Sequence, residues 1–149
     1  MPSFQSQFTE TAGKPIIYQG KTLFMMDSFP LENSSRLRLF FETCNGEWRQ
    51  GVALRVDGDF EVNGRVIGKH QHIVLWHDTA PQIVEFGVRT KATTVRVYNV
   101  WDSGNGMTDA WHNGAAMIIE EVPNGRRYRC NDGLADDDFD DIVFRIERV

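Results

Sequence analysis

No stretch of this chain keeps a helical repeat for long; short alternating runs, cut by turn signals, take its place. Ser35 to Phe41 sets Leu37, Leu39 and Phe41 on one face and Arg36 and Arg38 on the other. Asn45-Gly46 then signals a hairpin. Beyond it Val52, Leu54 and Val56 share a face, and after Pro81 so do Val84, Phe86 and Val88. Thr93 to Trp101 is β-rich and alternates. Asn63-Gly64 and Asn124-Gly125 mark further turns. Roughly ten short strands, with turn signals about every ten residues, predict one all-β domain over residues 1–149, an antiparallel β-sandwich or jelly roll. The one helical candidate, 110–121, is cut by Asn113-Gly114, and its isoleucines favour a strand. Residues 1–14 read as a loose N-terminal arm and 29–34 as a loop.

A length of 149 residues suits one domain with a sizeable core, and 41% hydrophobic with 25% charged residues argues against wholesale disorder. The formal charge of −5 comes without a long basic patch, which excludes binding along a nucleic-acid backbone. No apolar run is long enough to span a bilayer, and the first residues lack a basic segment leading into an apolar one. The expectation is a cytoplasmic protein, or one exported without a cleaved leader. Cys44 and Cys130 match no zinc or redox spacing. They form either one long-range disulfide or two reduced thiols. Sandwich edge strands often pair between subunits, so a homodimer is the expected assembly by analogy of fold.

Six aspartates fall between Asp132 and Asp141, and an apolar run, Ile142 to Ile146, follows at once. The run is therefore a loop fixed against a strand. One unit pair at about 4 Å is worth roughly 1 kcal/mol in water and several times that near a protein surface. Such a loop needs a counter-ion, and a hard divalent cation with oxygen ligands, Ca²⁺, fits the donor set. The alternative is a solvated turn paired with Arg126, Arg127 and Arg129 on the preceding strand. An EF-hand is excluded. Asp136, Asp138, Asp140 and Glu147 have the spacing, but Asp141 takes the place of the turn glycine and no helices flank the run.

The run Asp136-x-Asp138-Phe139-Asp140-Asp141-Ile142-Val143 resembles the Asp-x-Asp-Tyr-Asn-Asp-x-Val calcium loop of small bacterial calcium-dependent lectins that bind fucose and mannose. It is also similar to the ending of several secreted bacterial β-sandwich domains. The resemblance spans about fourteen residues, with Asp140 where asparagine is usual and one extra residue between Gly133 and Asp136. It implies a β-sandwich in which Asp136, Asp138, Asp140 and Asp141 bind Ca²⁺, with Asp132 and Asn131 as further ligands. Sugar hydroxyls would complete the coordination, and Phe139 would point into the core.

A second constellation lies in the long polar loop after Trp101. Asp102, Asn105 and Asp109 offer oxygens, glycines allow close approach, and Trp101 and Trp111 flank the loop, with His112 and Asn113 beside the latter. Aromatic faces next to carboxylates and amides suit a sugar, whose C–H face stacks while its hydroxyls hydrogen-bond. The alternative is an ordinary connection whose tryptophans pack on the core. His70, His72 and His77 offer a weaker metal motif, similar to the opening of the cupin motif but without its glutamate. No nucleophile elbow, thiol-protease signature or phosphate loop is present. The expectation is a non-catalytic, lectin-like module that binds Ca²⁺ and carbohydrate. Behind it stand a structural or protein-interaction domain with a purely structural Ca²⁺ site, and a cupin-like enzyme.

Overall fold

A computed structural model describes residues 4–67, 72–134 and 138–149. Among them the chain runs through α1 (Gln5–Glu10), β1 (Ile16–Tyr18), β2 (Lys21–Leu23), β3 (Asp27–Pro30), β4 (Arg36–Cys44), β5 (Arg49–Arg55) and β6 (Gly58–Val62). It continues through β7 (Arg65–Ile67), β8 (His72–Trp76), β9 (Ile83–Thr90), β10 (Thr94–Asp102), β11 (Ala116–Val122), β12 (Gly125–Asn131) and β13 (Ile142–Arg148). The paired strands are antiparallel. A seven-stranded sheet, β11-β12-β13-β4-β9-β6-β7, packs on a four-stranded one, β3-β10-β5-β8, and β1 and β2 form a separate hairpin. The architecture is a β-sandwich, as the alternation predicts.

The register explains the core. Leu37 lies opposite Phe86 and Leu39 opposite Val84, so both apolar rows face the same way. Across the gap, Leu54 lies opposite Val97 on one side and Ile73 on the other. These side chains share one core, and each large one stabilises the fold by about 1.5–3 kcal/mol. The outer face of the larger sheet is polar. Glu42 there takes hydrogen bonds from both Arg127 and Arg145 at 3.0 Å.

Two sequence expectations change. The N-terminal arm carries α1, whose Phe8 lies four residues after Phe4 and so on the same side. Both rings are buried in a second, smaller cluster with Ile16, Leu23, Ala116 and Phe139. The expected loop at 29–34 starts inside β3. That strand is an edge, where Pro30 can sit without a ladder donor. The stretch 110–121 is loop followed by β11, the strand its isoleucines favour, paired with β12 along its whole length.

Cys130 and Cys44 flank Ile142 on opposite sides, one on each neighbouring strand. Two strand spacings put them about 10 Å apart, beyond the roughly 7 Å reach of a disulfide. Both are free thiols. The same register places the loops 45–48 and 103–115, with residues 132–134 and 138–141, at one end of the sandwich.

Candidate functional site

The loop that carries the aspartates hangs from the ends of β12 and β13. Its inner half is built from buried polar groups. Asn131 and Asp132 are 0% exposed and Asp141 is 5% exposed. Asp132 donates its backbone N–H to Asp141 Oδ2 at 2.9 Å, and Asp132 Oδ1 accepts from the Leu134 N–H at 2.9 Å. The Asp141 carbonyl accepts from the N–H groups of both Asn45 and Gly46. Asn131 Oδ1 accepts from the Phe139 N–H at 2.7 Å, which holds Phe139 in a left-handed conformation, φ +55°. Phe139 then stacks on Phe4 at 6.3 Å. The loop is thus anchored, but in the small cluster under α1 and not in the main core.

Two residues that sequence reasoning missed tie this loop to the other sheet. Gln50 and Asn99 sit on the inward face of β5 and β10, in rows otherwise apolar: Val52 and Leu54 beside Gln50, and Val95, Val97 and Trp101 beside Asn99. Asn99 Nδ2 donates to the Asn131 carbonyl and Gln50 Nε2 to Asp132 Oδ2, both at 2.8 Å. A polar residue breaking an inward apolar row was the signal available for both. Gln50 is 1% exposed. Its Oε1 is the one buried side-chain oxygen or nitrogen among the described residues with no hydrogen-bond partner.

The outer half of the loop is different. Asp138 is exposed and Asp140 half-buried, and Asp136 lies outside the described residues. Arg126 pairs with Asp27 and Glu121, Arg127 with Glu42 and Glu120, and Arg129 with Glu120. The three arginines of the preceding strand are therefore engaged away from the acidic run. Among the described residues, no basic side chain pairs with Asp132, Asp138 or Asp140. Lys21 Nζ lies over the Phe139 ring at 5.9 Å. The negative field reaches the nearby thiols. Burial pushes the Cys44 thiol up, and Asp141, Asp78 and Asp132 push it the same way. Burial and Asp141 together push the Cys130 thiol well up. Among the described residues no three His, Cys, Asp or Glu side chains converge as a ready metal cluster.

The Trp101 loop lies beside this site but serves first to build it. Trp101 is 2% exposed, with Trp48 stacked on it at 6.4 Å and Gly133 of the acidic loop close against its ring. Its faces are therefore closed to a ligand, contrary to the role proposed for it from sequence. Asp102 Oδ1 accepts from the N–H groups of Gly104 and Gly106, and Asn105 Oδ1 from that of Met107. These oxygens shape the turn. Asp109 pairs its backbone with Trp101. The Asn113 carbonyl accepts from the N–H groups of Phe4 and Gln5 and so seats α1.

Trp111 and His112 remain at the surface. Trp111 has φ +63°, packs on Tyr98 at 4.6 Å between ring centres, and donates from Nε1 to the Met25 carbonyl at 3.0 Å. A bulky residue in that conformation is strained and persists only where its surroundings hold it. With Gln5, Phe8, Thr9 and Met25, these two residues line a cleft of about 370 Å³.

The described histidines do not gather. His72 stacks on Tyr98, and burial, helped by Arg55, lowers its pKa. His77 lies edge-on to Phe41, and His70 lies outside the described residues. Among the described residues, no helix is long and apolar enough to cross a membrane. No protein-family model, curated protein or solved structure matches this chain.

Proposed function

We propose that this chain is a non-catalytic, lectin-like recognition module that binds Ca²⁺ in the loop from Asn131 to Asp141 and carbohydrate beside it. The observation that carries the reading is the commitment of Arg126, Arg127 and Arg129 to Asp27, Glu42, Glu120 and Glu121. Among the described residues, Asp132, Asp138 and Asp140 are left with no basic side chain paired to them. Buried carboxylates are costly unless paired or bound to a metal, and Ca²⁺ takes six to eight oxygens of the kind the loop supplies. The buried Gln50 amide, whose Oε1 has no partner among the described residues, stands beside Asp132. Asp132 and Asp141 offer carboxylates at the inner end, Asp138 and Asp140 at the outer end, and Asp136 completes the set read from sequence.

For carbohydrate, the cleft beside Trp111 supports the reading better than the loop from Asp102 to Asp109 does. Phe8, Met25 and Trp111 give it apolar walls, and Gln5, Thr9 and His112 give it polar groups. A mostly apolar cleft with a few polar groups suits a sugar ring. The second reading, a domain in which Ca²⁺ acts only as a staple, is favoured by the burial of Asp132 and Asp141 between the sheets.

Thermal melts test the ion. Calcium at about a hundred times its dissociation constant stabilises by about 2.7 kcal/mol, or roughly 10 °C for a domain of this size. A melting temperature unchanged between Ca²⁺ and chelator removes the calcium reading. A glycan array probed in Ca²⁺ then separates lectin from staple, because a blank array leaves only the second.

A further inference from the structure

We infer that Gln50 is an oxygen ligand of the calcium ion, and that the ion lies between the two sheets at the Asp132 end of the run. This rests on the calcium reading above. The Gln50 side chain is in an unusual state. It is buried, its Nε2 is used twice, and its Oε1 is used by nothing among the described residues. A buried acceptor without a partner costs about 1–3 kcal/mol, so its retention needs a reason.

The two ends of a glutamine amide have nearly the same shape, and turning the last bond by half a circle exchanges them. The place Nε2 now holds is 2.8 Å from Asp132 Oδ2 and 3.1 Å from the Trp48 carbonyl. With the amide turned, three oxygens share that place: a carboxylate, a main-chain carbonyl and an amide carbonyl. The turned amide oxygen would lie about 3 Å from each of the other two, the separation of neighbouring ligands around an ion with metal–oxygen distances of about 2.4 Å.

The surroundings allow it. Gly46 lies directly over the amide, and a Cβ there would run into Gln50 and sit 3.2 Å from the Asp141 Cβ. Glycine keeps that space clear. Without the ion, Nε2 donates to Asp132 and holds the sheets together. With it, the same side chain contributes its oxygen. The site thus has an occupied and an empty arrangement built from one residue.

Calorimetric titration of the full chain with Ca²⁺, beside melts in Ca²⁺ and in chelator, tests this in wild type, Gln50→Met and Gln50→Glu. Gln50→Met keeps the bulk but removes the oxygen, and is expected to weaken Ca²⁺ binding at least tenfold, since even outer-shell changes typically cost 10–100-fold. Gln50→Glu is expected to bind at least as tightly as wild type and to melt lower in chelator, where two carboxylates face each other without an ion. A Gln50→Met dissociation constant within about twofold of wild type, or a Gln50→Glu loss equal to that of Gln50→Met, overturns the inference and leaves the calcium reading standing. No binding by wild type overturns both. Should Gln50→Met not fold, Gln50→Glu decides. A larger Ca²⁺-induced rise in melting temperature than in wild type supports the inference, and an equal or smaller rise overturns it.

Discussion

The Tyr128 hydroxyl donates a 2.6 Å hydrogen bond to Asp27 Oδ2, joining β12 of the larger sheet to β3 of the smaller. Arg126 Nη1 reaches both oxygens of the same carboxylate at 3.0 Å. Burial, reinforced by the Asp27 charge, pushes the Tyr128 hydroxyl well above its ordinary pKa, so it stays a donor at any ordinary pH. Tyr128→Phe is expected to cost about 1–2 kcal/mol in urea unfolding, the worth of one hydrogen bond to a charge. Asp27→Asn leaves Arg126 half-buried with only the exposed Glu121 as its opposite charge, and a loss of about 3 kcal/mol is expected. Equal losses in the two variants would show that the ion pair adds nothing beyond the hydroxyl contact.

Glu42 links stability to pH. Burial alone would raise its pKa, but hydrogen bonds and charge from Arg145 and Arg127 outweigh that and hold it below the ordinary value of 4.5. A carboxylate depressed in the folded state contributes stability that is complete above its unfolded pKa and lost as pH falls through the folded one. Acid unfolding followed by circular dichroism is therefore expected to show stability falling below about pH 4.5. Glu42→Gln should flatten part of that fall and cost about 1 kcal/mol at pH 7. An unchanged acid limb in this variant would assign the dependence to other carboxylates.

Reductant should have no effect on the fold. With Cys44 and Cys130 on either side of Ile142, the melting temperature is expected to be the same with and without dithiothreitol. In the native state a thiol reagent should modify Cys44 slowly and leave Cys130 untouched, since burial raises both thiols and closes off the second. Rapid labelling of two thiols before unfolding would contradict this packing.

Gly133 is the contact between the acidic loop and the tryptophan pair. A Cβ at this position would meet Trp101 Cζ2 at 2.9 Å and Trp48 Cζ3 at 3.4 Å. Trp101 is buried and cannot swing away. Gly133→Ala is expected to cost about 1–3 kcal/mol, as overpacking does, and to shift tryptophan fluorescence. An unchanged spectrum and stability would mean that the loop can withdraw from the pair freely.

The sandwich is legible in the sequence because its signal is local. Leu37, Leu39 and Phe41, or Val84, Phe86 and Val88, declare a buried face within a few residues. Helix α1 is not legible, since six residues with a single phenylalanine, Phe8, carry no sustained period. The acidic run is conspicuous, but its division into buried Asp132 and Asp141 and the more exposed Asp138 and Asp140 is not. That division depends on Gln50 and Asn99, far away in the chain and set against it only by sheet-on-sheet packing. The destinations of Arg126, Arg127 and Arg129 are hidden for the same reason. Three arginines near six aspartates invite pairing by proximity, and the register sends them instead to Asp27, Glu42, Glu120 and Glu121.

The position of β13 has a kinetic consequence. It pairs with β4 on one side and β12 on the other, so the middle of the larger sheet closes only when residues about a hundred positions apart meet. Loop-closure entropy must be overcome before those contacts stabilise anything, which makes such topologies slow to fold. Until then β4 offers an unpaired apolar edge to other chains. Refolding in milliseconds to seconds, with losses to aggregation that grow with concentration, is the behaviour this strand order imposes. An ion gathered by the loop directly before β13 would act on the step where the sheet is joined.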